Sequence, residues 1–362
     1  MYKLVTTLNE LTGLKSEWDH LGEKFDSPML QFDWFFCCAK YLHPESELRV
    51  FLVYSEDRLI AIAPLVRTRY KFSQWLEIIG NALTYEPTGL LYKDKESLEL
   101  LLRNVFQYGL PVNLQRLSRK SPEAVIVNTV KKPLRLLLKR RSASSYYIKS
   151  VNDWNSFLSK SGKKWRSDFR NKMNRANRLG DIEIDYIHSD FDNFEECFKE
   201  AMEIESRSWK GTQKTALINN KKLRDFFRAY FSFIAKQKRL HFAFFRINKK
   251  PVAMHIAESH KNTLWSYKIG YDSSFSRISP GMLLILAVLK DAFKNKQSYE
   301  FLGSAESWQK AWAVQEHRYC SIIIYPLSLY GVIGLLDTLS SVLYNKFQHI
   351  FLSFSEKYIT KS

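Results

Sequence analysis

Apolar and polar positions along the chain fall into two series of the same kind. In the first, residues 2–6 form the short apolar run of a strand, and residues 11–21 carry the three-and-four spacing of a helix. "SPMLQFDWFFCCAKYL" predicts an aromatic-rich helix entered through Ser27 and Pro28, a capping hydroxyl followed by the residue best suited to a first helical position. "LRVFLVYSEDRLIAIAPLVRTRYK" predicts a hairpin turning at Glu56 and Asp57, and "QWLEIIGNALTYEPTGLLY" a further strand. "KESLELLLRNVFQYG" predicts a helix ending at Gly109. "VNLQRLS" is a short strand, and "LRLLLKRRSASSYYIK" one or two more.

The second series repeats this order. "DIEIDYIH" reads as a strand and "NFEECFKEAMEIESRSW" as a helix. "RLHFAFFRINKKPVAMHIAESHKNTLWSYKIGYD" predicts a three-stranded meander with polar turns at 248–250 and 261–263. A helix over "FSRISPGMLLILAVLKDAF" follows, then the strand "SYEFLGSA", a short helix through Trp308 and Trp312, and the strand "YCSIIIYP". Strands linked through crossover helices predict an α/β (mixed α+β) fold, with mostly antiparallel mixed sheets flanked by helices. The repeated order predicts a duplicated domain. We expect units at 1–150 and 151–326, a linker near 149–153, a basic helix opening the second unit, and a helical tail at 327–362.

One helix departs from surface patterning. Met282 to Leu289 is unbroken apolar sequence, following directly on Ser279-Pro280-Gly281. A helix apolar on all sides is buried, so the body is packing and the first turn is the exposed, working part.

Composition narrows the partners. A chain of 362 residues has the length of two ordinary domains, and 45% hydrophobic content is ample for their cores. The first residues lack the apolar core of a secretion signal. Four cysteines, two of them adjacent, make a poor disulfide framework and point to a reduced, cytoplasmic compartment. None has metal-ligand spacing with histidine, so no metal is expected. The net charge of +18 favours polyanionic partners: phosphorylated cofactors, nucleic acid or an anionic membrane surface.

Two flanking segments carry chemistry of their own. "KSGKKWRSDFRNKMNRANRLG" holds eight Lys or Arg between Lys160 and Arg178 against Asp168 alone. Trp165, Phe169 and Met173 form a narrow apolar stripe, with Lys163, Arg166 and Arg170 beside it. The basic face either stays solvated or binds phosphate on an acceptor, tRNA or membrane. In the tail, Leu336, Leu339, Leu343, Phe347, Ile350 and Phe354 recur at steps of three and four, while Pro326, Gly331, Gly334 and Asp337 interrupt any membrane span. This helix docks on the protein or lies peripherally on the inner face of the cell membrane.

Tyr267, Tyr271-Asp272, Ser279-Pro280-Gly281, Phe301-Leu302, Glu306 and Trp312 make the sequence resemble the GNAT acyltransferase superfamily, in its CelD-like (BioF-like) branch, related to the Fem-type transferases with two tandem GNAT domains. The branch often has Asp before the glutamate and Lys after the following aromatic; here those positions are Ala305 and Gln309. The resemblance implies acetyl-CoA or another acyl-CoA as co-substrate, its pyrophosphate held by backbone N–H groups at Ser279 to Leu283. There Ser279 caps, Pro280 occupies the first helical position, Gly281 lets phosphate approach, Met282 and Leu283 follow, and Arg277 adds charge. The first half has carboxylates at the corresponding helix start, and reads as a degenerate copy shaping the acceptor cleft.

Transfer needs an amine against a thioester carbonyl and a route for the departing proton. Glu258, His255 and Glu306 are the acid–base candidates. Strand alternation puts His255 and Glu258 on opposite faces, so only one faces the cleft. Tyr267 and Tyr271 are candidate donors to the oxyanion or leaving thiolate. Lys163, Arg166, Arg170, Arg207, Trp209 and Trp308 are candidates for the acceptor side. The expected activity is N-acyl transfer to an amine of a sugar or cell-envelope (polysaccharide) precursor. A Fem-type transferase using aminoacyl-tRNA is the alternative, followed by a non-catalytic membrane-associated protein on a decayed GNAT fold. Nucleic acid other than tRNA is not expected.

Overall fold

Long apolar runs with alternating burial make strands here, and two mixed sheets result. In the computed structural model every residue is described except 45–46, 131–133, 150–153, 161, 190–191, 313 and 360–362, with no side chains described for 160, 189 and 345–359. Most of the linker expected at 149–153, and Phe347, Ile350 and Phe354 of the tail, therefore lie outside the described residues.

The strands are β1 (Tyr2–Val5), β2 (Glu47–Ser55), β3 (Arg58–Tyr70), β4 (Ser73–Ile78), β5 (Leu91–Tyr92), β6 (Val112–Ser118), β7 (Arg135–Arg141), β8 (Ser145–Ile148), β9 (Ile182–Ser189), β10 (Leu240–Ile247), β11 (Lys250–His260), β12 (Thr263–Tyr271), β13 (Ser298–Glu300), β14 (Gln315–His317) and β15 (Tyr319–Pro326). The helices that bear on the site are α1 (Phe32–Cys37), α2 (Lys95–Gln107), α3 (Lys163–Asn177), α4 (Phe194–Ser206), α5 (Lys221–Lys236), α6 (Pro280–Lys294) and α7 (Leu329–Ile359).

The first sheet runs β1-β2-β3-β4-β6-β15-β7, with β5 paired on β3; the second runs β14-β8-β13-β12-β11-β10-β9. Each is antiparallel except for one step, β4 to β6 and β12 to β13. Each parallel step is bridged by a helix, α2 in the first sheet and α6 in the second, because parallel neighbours need a crossover. The two halves thus share one plan.

They also exchange strands. The sequence reading placed β15 with the second unit and β8 with the first, yet β15 lies between β6 and β7, and β8 pairs with β13 and β14. A strand's own pattern fixes which positions are buried, not which strand it joins. Cys320, Ile322, Ile324 and Tyr325 of β15 are all buried, as suits a central position.

Other departures are local. The helix expected at 11–21 divides into Leu8–Thr12 and Lys15–Gly22 around Gly13, and the 73–92 segment is β4, a short helix Asn81–Thr84, and β5. Helix α5 and strand β14 have no counterpart in the sequence reading.

Helices α1 and α5 pack together between the sheets. Trp34, fully buried, meets Phe226 at 5.0–5.2 Å together with Tyr230, edge-on in both cases, and stacks on Tyr267 at 6.0 Å. One apolar cluster runs through both halves at this point. A second lies on the opposite face of the second sheet, where α6 packs and Trp165 and Phe169 of α3 close over the buried Trp312. Truncating Trp34 opens a cavity shared by both halves. Trp34→Ala is expected to destabilise the protein by about 3–5 kcal/mol in urea unfolding, in a single transition.

Candidate functional site

Strand β12 pairs with β11 from Thr263 to Tyr271. On its other side it pairs with β13 only from Thr263 to Trp265. Beyond Trp265, no strand among the described residues covers that edge. A cavity of about 370 Å³ opens there, lined by Ile269, Gly270 and Tyr271 of β12; Ser279, Gly281, Met282 and Ile285 at the start of α6; Glu306 and Trp308 after β13; and Ser208, Trp209 and Lys210 after α4. Four separated segments converge, and seven residues singled out in the sequence meet in one place: Tyr271, Ser279, Gly281, Met282, Glu306, Trp209 and Trp308.

The approach to α6 is fixed by Asp272, whose carboxylate accepts from the Ser274 N–H at 3.0 Å and hydroxyl at 2.6 Å and pairs with Arg207 Nε at 3.0 Å. Arg207 is thereby a brace for the turn Ser273–Ile278, and it does not line the cavity. Ser279 is not the expected side-chain cap. The turn ends with Ser279 in the left-handed region (φ 50°, ψ 59°), and its hydroxyl faces the Ser276 carbonyl. A non-glycine residue held there marks local strain, which the packed body of α6 sustains.

The Ser279 carbonyl accepts from the N–H groups of Met282 and Leu283 at 2.9 and 3.2 Å. Leu283 is 1% exposed and belongs to the core, so its expected ligand role falls away with its amide committed and its side chain buried. Pro280 has no N–H. The Gly281 N–H lies in the first turn of α6, where the helix itself supplies no acceptor. A Cβ at Gly281 would stand 3.2 Å from Tyr271 Cδ1, tight enough that any side chain must push into the cavity or displace the ring. Arg277 is exposed just outside the cavity lining.

Two acid–base candidates lie elsewhere. Glu258 is fully buried and accepts from Tyr230 and Tyr267, each at 2.7 Å, with Arg239 Nη1 3.1 Å from its other oxygen. Burial pushes its carboxyl upward against the pull of Arg239. Tyr267 is spent on this network. His255, on the opposite face, sits between Ser266 Oγ at 2.9 Å and Tyr299 Oη at 2.8 Å, and burial pushes its imidazole down to about 3. Alternation separated the two as expected, but neither face is the cavity: α5 covers Glu258, and α6 covers His255. Glu306 does line the cavity, accepting from Trp308 Nε1 at 2.6 Å, while its own N–H donates to the buried Gln309 side chain at 2.8 Å. The residue standing in place of the branch's usual lysine therefore fixes this loop.

Residues 163–310 match the family model described as an acetyltransferase (GNAT) domain. The second half of the chain carries a GNAT acyltransferase domain. Among solved structures, FemX superposes with a TM-score of 0.61 at 10% identity, covering 93% of this chain and 100% of that one. A conserved protein of unknown function from Bacteroides thetaiotaomicron gives 0.57 at 12%, with 90% and 99% covered. L-PGS from Bacillus licheniformis gives 0.50 at 9%, with 90% and 95% covered. At these identities the likeness is one of fold, and it extends over both halves. No curated protein matches the sequence.

The GNAT match begins at Lys163, so α3 belongs to the domain. Its apolar stripe is packed, and Lys163, Arg166 and Arg170 remain on the exposed face. Arg166 donates to the Leu158 carbonyl at 3.0 Å, and α3 packs against the turn Ser273–Ile278 that leads into α6.

Several residues in and around the cavity escaped the sequence reading. Lys210 enters the cavity from the turn after α4 and lies 3.6 Å from the buried Glu205. Glu86 of the first half, buried, accepts from the Gly303 N–H at 3.0 Å, and Arg116 donates to the Gly303 carbonyl at 2.7 Å from between the rings of Tyr85 and Tyr319. The first half thus clamps the loop that carries Glu306 and Trp308. The signal for α5 was available: Phe226, Phe227, Tyr230, Phe231 and Ile234 recur with helical spacing. Nothing in the sequence pointed to the clamp.

Lys268 stands over the Phe227 ring at 4.2 Å, and its ammonium is pushed down to about 8, by burial first and Lys210 second. A lysine lowered in the folded state leaves the unfolded chain binding more protons above that value. Stability relative to a Lys268→Met variant should therefore rise as pH climbs from about 8 toward the ordinary lysine value of about 10.4, and stay flat below about 7. Urea unfolding of both proteins across this range reads the difference directly.

Proposed function

We propose that the enzyme transfers an acetyl or other acyl group from acyl-CoA to the amine of a sugar or another cell-envelope precursor. The donor lies in the cavity between β12, α6 and the Glu306 loop, and the acceptor enters between the two halves. The observation that carries this reading is the free edge of β12 running up to Gly281 in the first turn of α6. The amides of an extended pantetheine arm pair with such an edge as an added strand would. The pyrophosphate then meets the Gly281 N–H and the positive end of α6, with Arg277 and the exposed cations of α3 nearby.

The corresponding place in the first half is filled. Asp94 caps α2, its carboxylate accepting from the Ser97 N–H at 2.8 Å and hydroxyl at 2.5 Å. A phosphate there would meet an anion on the amide it needs. This supports one donor site, in the GNAT unit placed at 151–326, with the 1–150 unit as a degenerate copy that shapes the acceptor side and 327–362 as an appended helix.

In this site the amine nitrogen attacks the thioester carbonyl, the C–S bond breaks, and the thiolate leaves. Tyr271 lines the cavity, and we assign its hydroxyl to donate to the developing oxyanion or to the thiolate. Glu306 is the carboxylate that takes the amine's proton, directly or through water. Attack is direct: the four cysteines are buried and uninvolved. On this reading the enzyme works in the cytoplasm, where acyl-CoA is supplied. A Fem-type use of aminoacyl-tRNA is the second reading, and the exposed cations of α3 beside the donor site favour it.

Thermal unfolding with acetyl-CoA, CoA and bulk tRNA in separate titrations distinguishes the two. Ligand at 100 Kd should add about 2.7 kcal/mol to the native state. CoA compounds should raise the midpoint, and Gly281→Glu, which puts a carboxylate at the phosphate position, should abolish the shift while the protein stays folded. A shift with tRNA alone would replace the acyl-CoA reading with the second. Tyr271→Phe should keep the CoA shift and lower kcat about 100-fold.

A further inference from the structure

Helix α7 is docked the wrong way round for a surface helix. The side facing the protein is small and polar. Gly331 and Gly334 are buried, and a Cβ at Gly334 would stand 2.6 Å from Pro111 Cγ. Asp337, 5% exposed, accepts from the Phe72 N–H at 3.1 Å; Thr338 accepts from the Tyr325 hydroxyl at 2.9 Å; Ser341 Oγ is 3.0 Å from Lys71 Nζ and 3.2 Å from the Tyr70 hydroxyl. The opposite side carries Val332, Leu336, Leu339 and Leu343, which recur at helical steps and are 50–59% exposed. These contacts fix the helix's rotation, so the apolar side cannot be turned inward without breaking them.

The tip of the β3–β4 hairpin joins this surface. Arg69, Tyr70, Lys71 and Phe72 are all exposed, Phe72 to 88%, and Tyr70 and Lys71 are the residues that hold Ser341. The patch therefore joins a leucine row to two aromatics and two cations. Between Leu329 and Tyr344 the one acid, Asp337, is buried on the other side.

We propose that this face is a membrane-docking surface, with the α7 leucines seated in the interface of an anionic bilayer and the Arg69–Phe72 tip anchoring beside them. Apolar residues on one face with aromatic and basic neighbours suit the boundary between headgroups and acyl chains. A chain of net charge +18 is drawn to anionic lipid, each cation near the surface adding to binding. A second copy of the chain fits less well: a two-fold contact through the patch would bring Arg69 and Lys71 of both copies together. Crossing the bilayer is a different matter, since no helix among the described residues is long and apolar enough. The proposal is independent of the acyl-CoA reading and fails or stands separately from it.

Co-sedimentation of the full chain with vesicles of phosphatidylcholine containing phosphatidylglycerol, and with phosphatidylcholine alone, tests it. The protein should bind the anionic vesicles, less so as salt rises. Leu336→Asp with Leu339→Asp should lower binding on the order of tenfold or more. Arg69→Glu should lower it about fivefold. Both variants should keep the wild-type melting temperature and molecular mass in solution. Equal vesicle binding by wild type and the double aspartate variant overturns the proposal, as does a wild type that ignores both vesicles. A concentration-dependent dimer lost in the double variant, without vesicle binding, assigns the face to a second copy instead.

Discussion

Two parallel strands cannot be joined by a turn, and this constraint organises the site. Between β12 and β13 the chain must cross over through α6, and that helix begins at the end of the sheet where β12 has run past its neighbour. The positive end of a buried helix is thereby set beside an unpaired strand edge. Backbone alone supplies both features; the side chains of Tyr271, Glu306, Trp209 and Trp308 then furnish the cavity around them. The apolar body of α6 matters because its buried face, with Leu283, Leu284, Ile285, Val288 and Leu289, holds the first turn, including the strained Ser279, in one position.

The first half has the same crossover and a different outcome. At α2 the N-cap aspartate satisfies the helix start from within the chain, whereas α6 begins with no side-chain cap, so the fold is duplicated and the open helix start is not. What the first half contributes instead is positioning. It buries Trp34 against Tyr230 and Tyr267, it lends β8 to the second sheet and takes β15 in return, and it grips Gly303 with Glu86 and Arg116. The loop bearing Glu306 and Trp308 is held from outside its own sheet. A buried, charged clamp of this kind is justified by geometry more than by stability, since its groups lose hydration to enter the interior.

The buried polar residues of the GNAT half divide by sheet face. On one side Glu258, Tyr230, Tyr267 and Arg239 form a closed network under α5; on the other His255 is shared between Ser266 and Tyr299 under α6. Both sets have the composition of catalytic machinery and the surroundings of core. The cavity edge, by contrast, holds groups in contact with solvent, among them Glu306 and Trp209. Composition along β11 could not separate these cases, because strand alternation says which side a residue faces and nothing about what covers that side.

By itself the sequence determined what depends on local pattern: most of the strands and helices in their order, the repeated plan, the amphipathic α3, the want of a membrane span in α7, and the Ser-Pro-Gly start of α6. These follow from periodicity and backbone chemistry within a few residues. It also named seven of the residues that line the cavity, among them Tyr271, Ser279, Gly281 and Glu306 through the family resemblance. Only the tertiary structure decided the exchange of β8 and β15, the grip of Glu86 and Arg116 on Gly303, the burial of Glu258 and His255, and the outward turn of the α7 leucines. Each of those depends on contacts between residues far apart in the chain, and a residue's own neighbours carry no record of which distant surface it will meet.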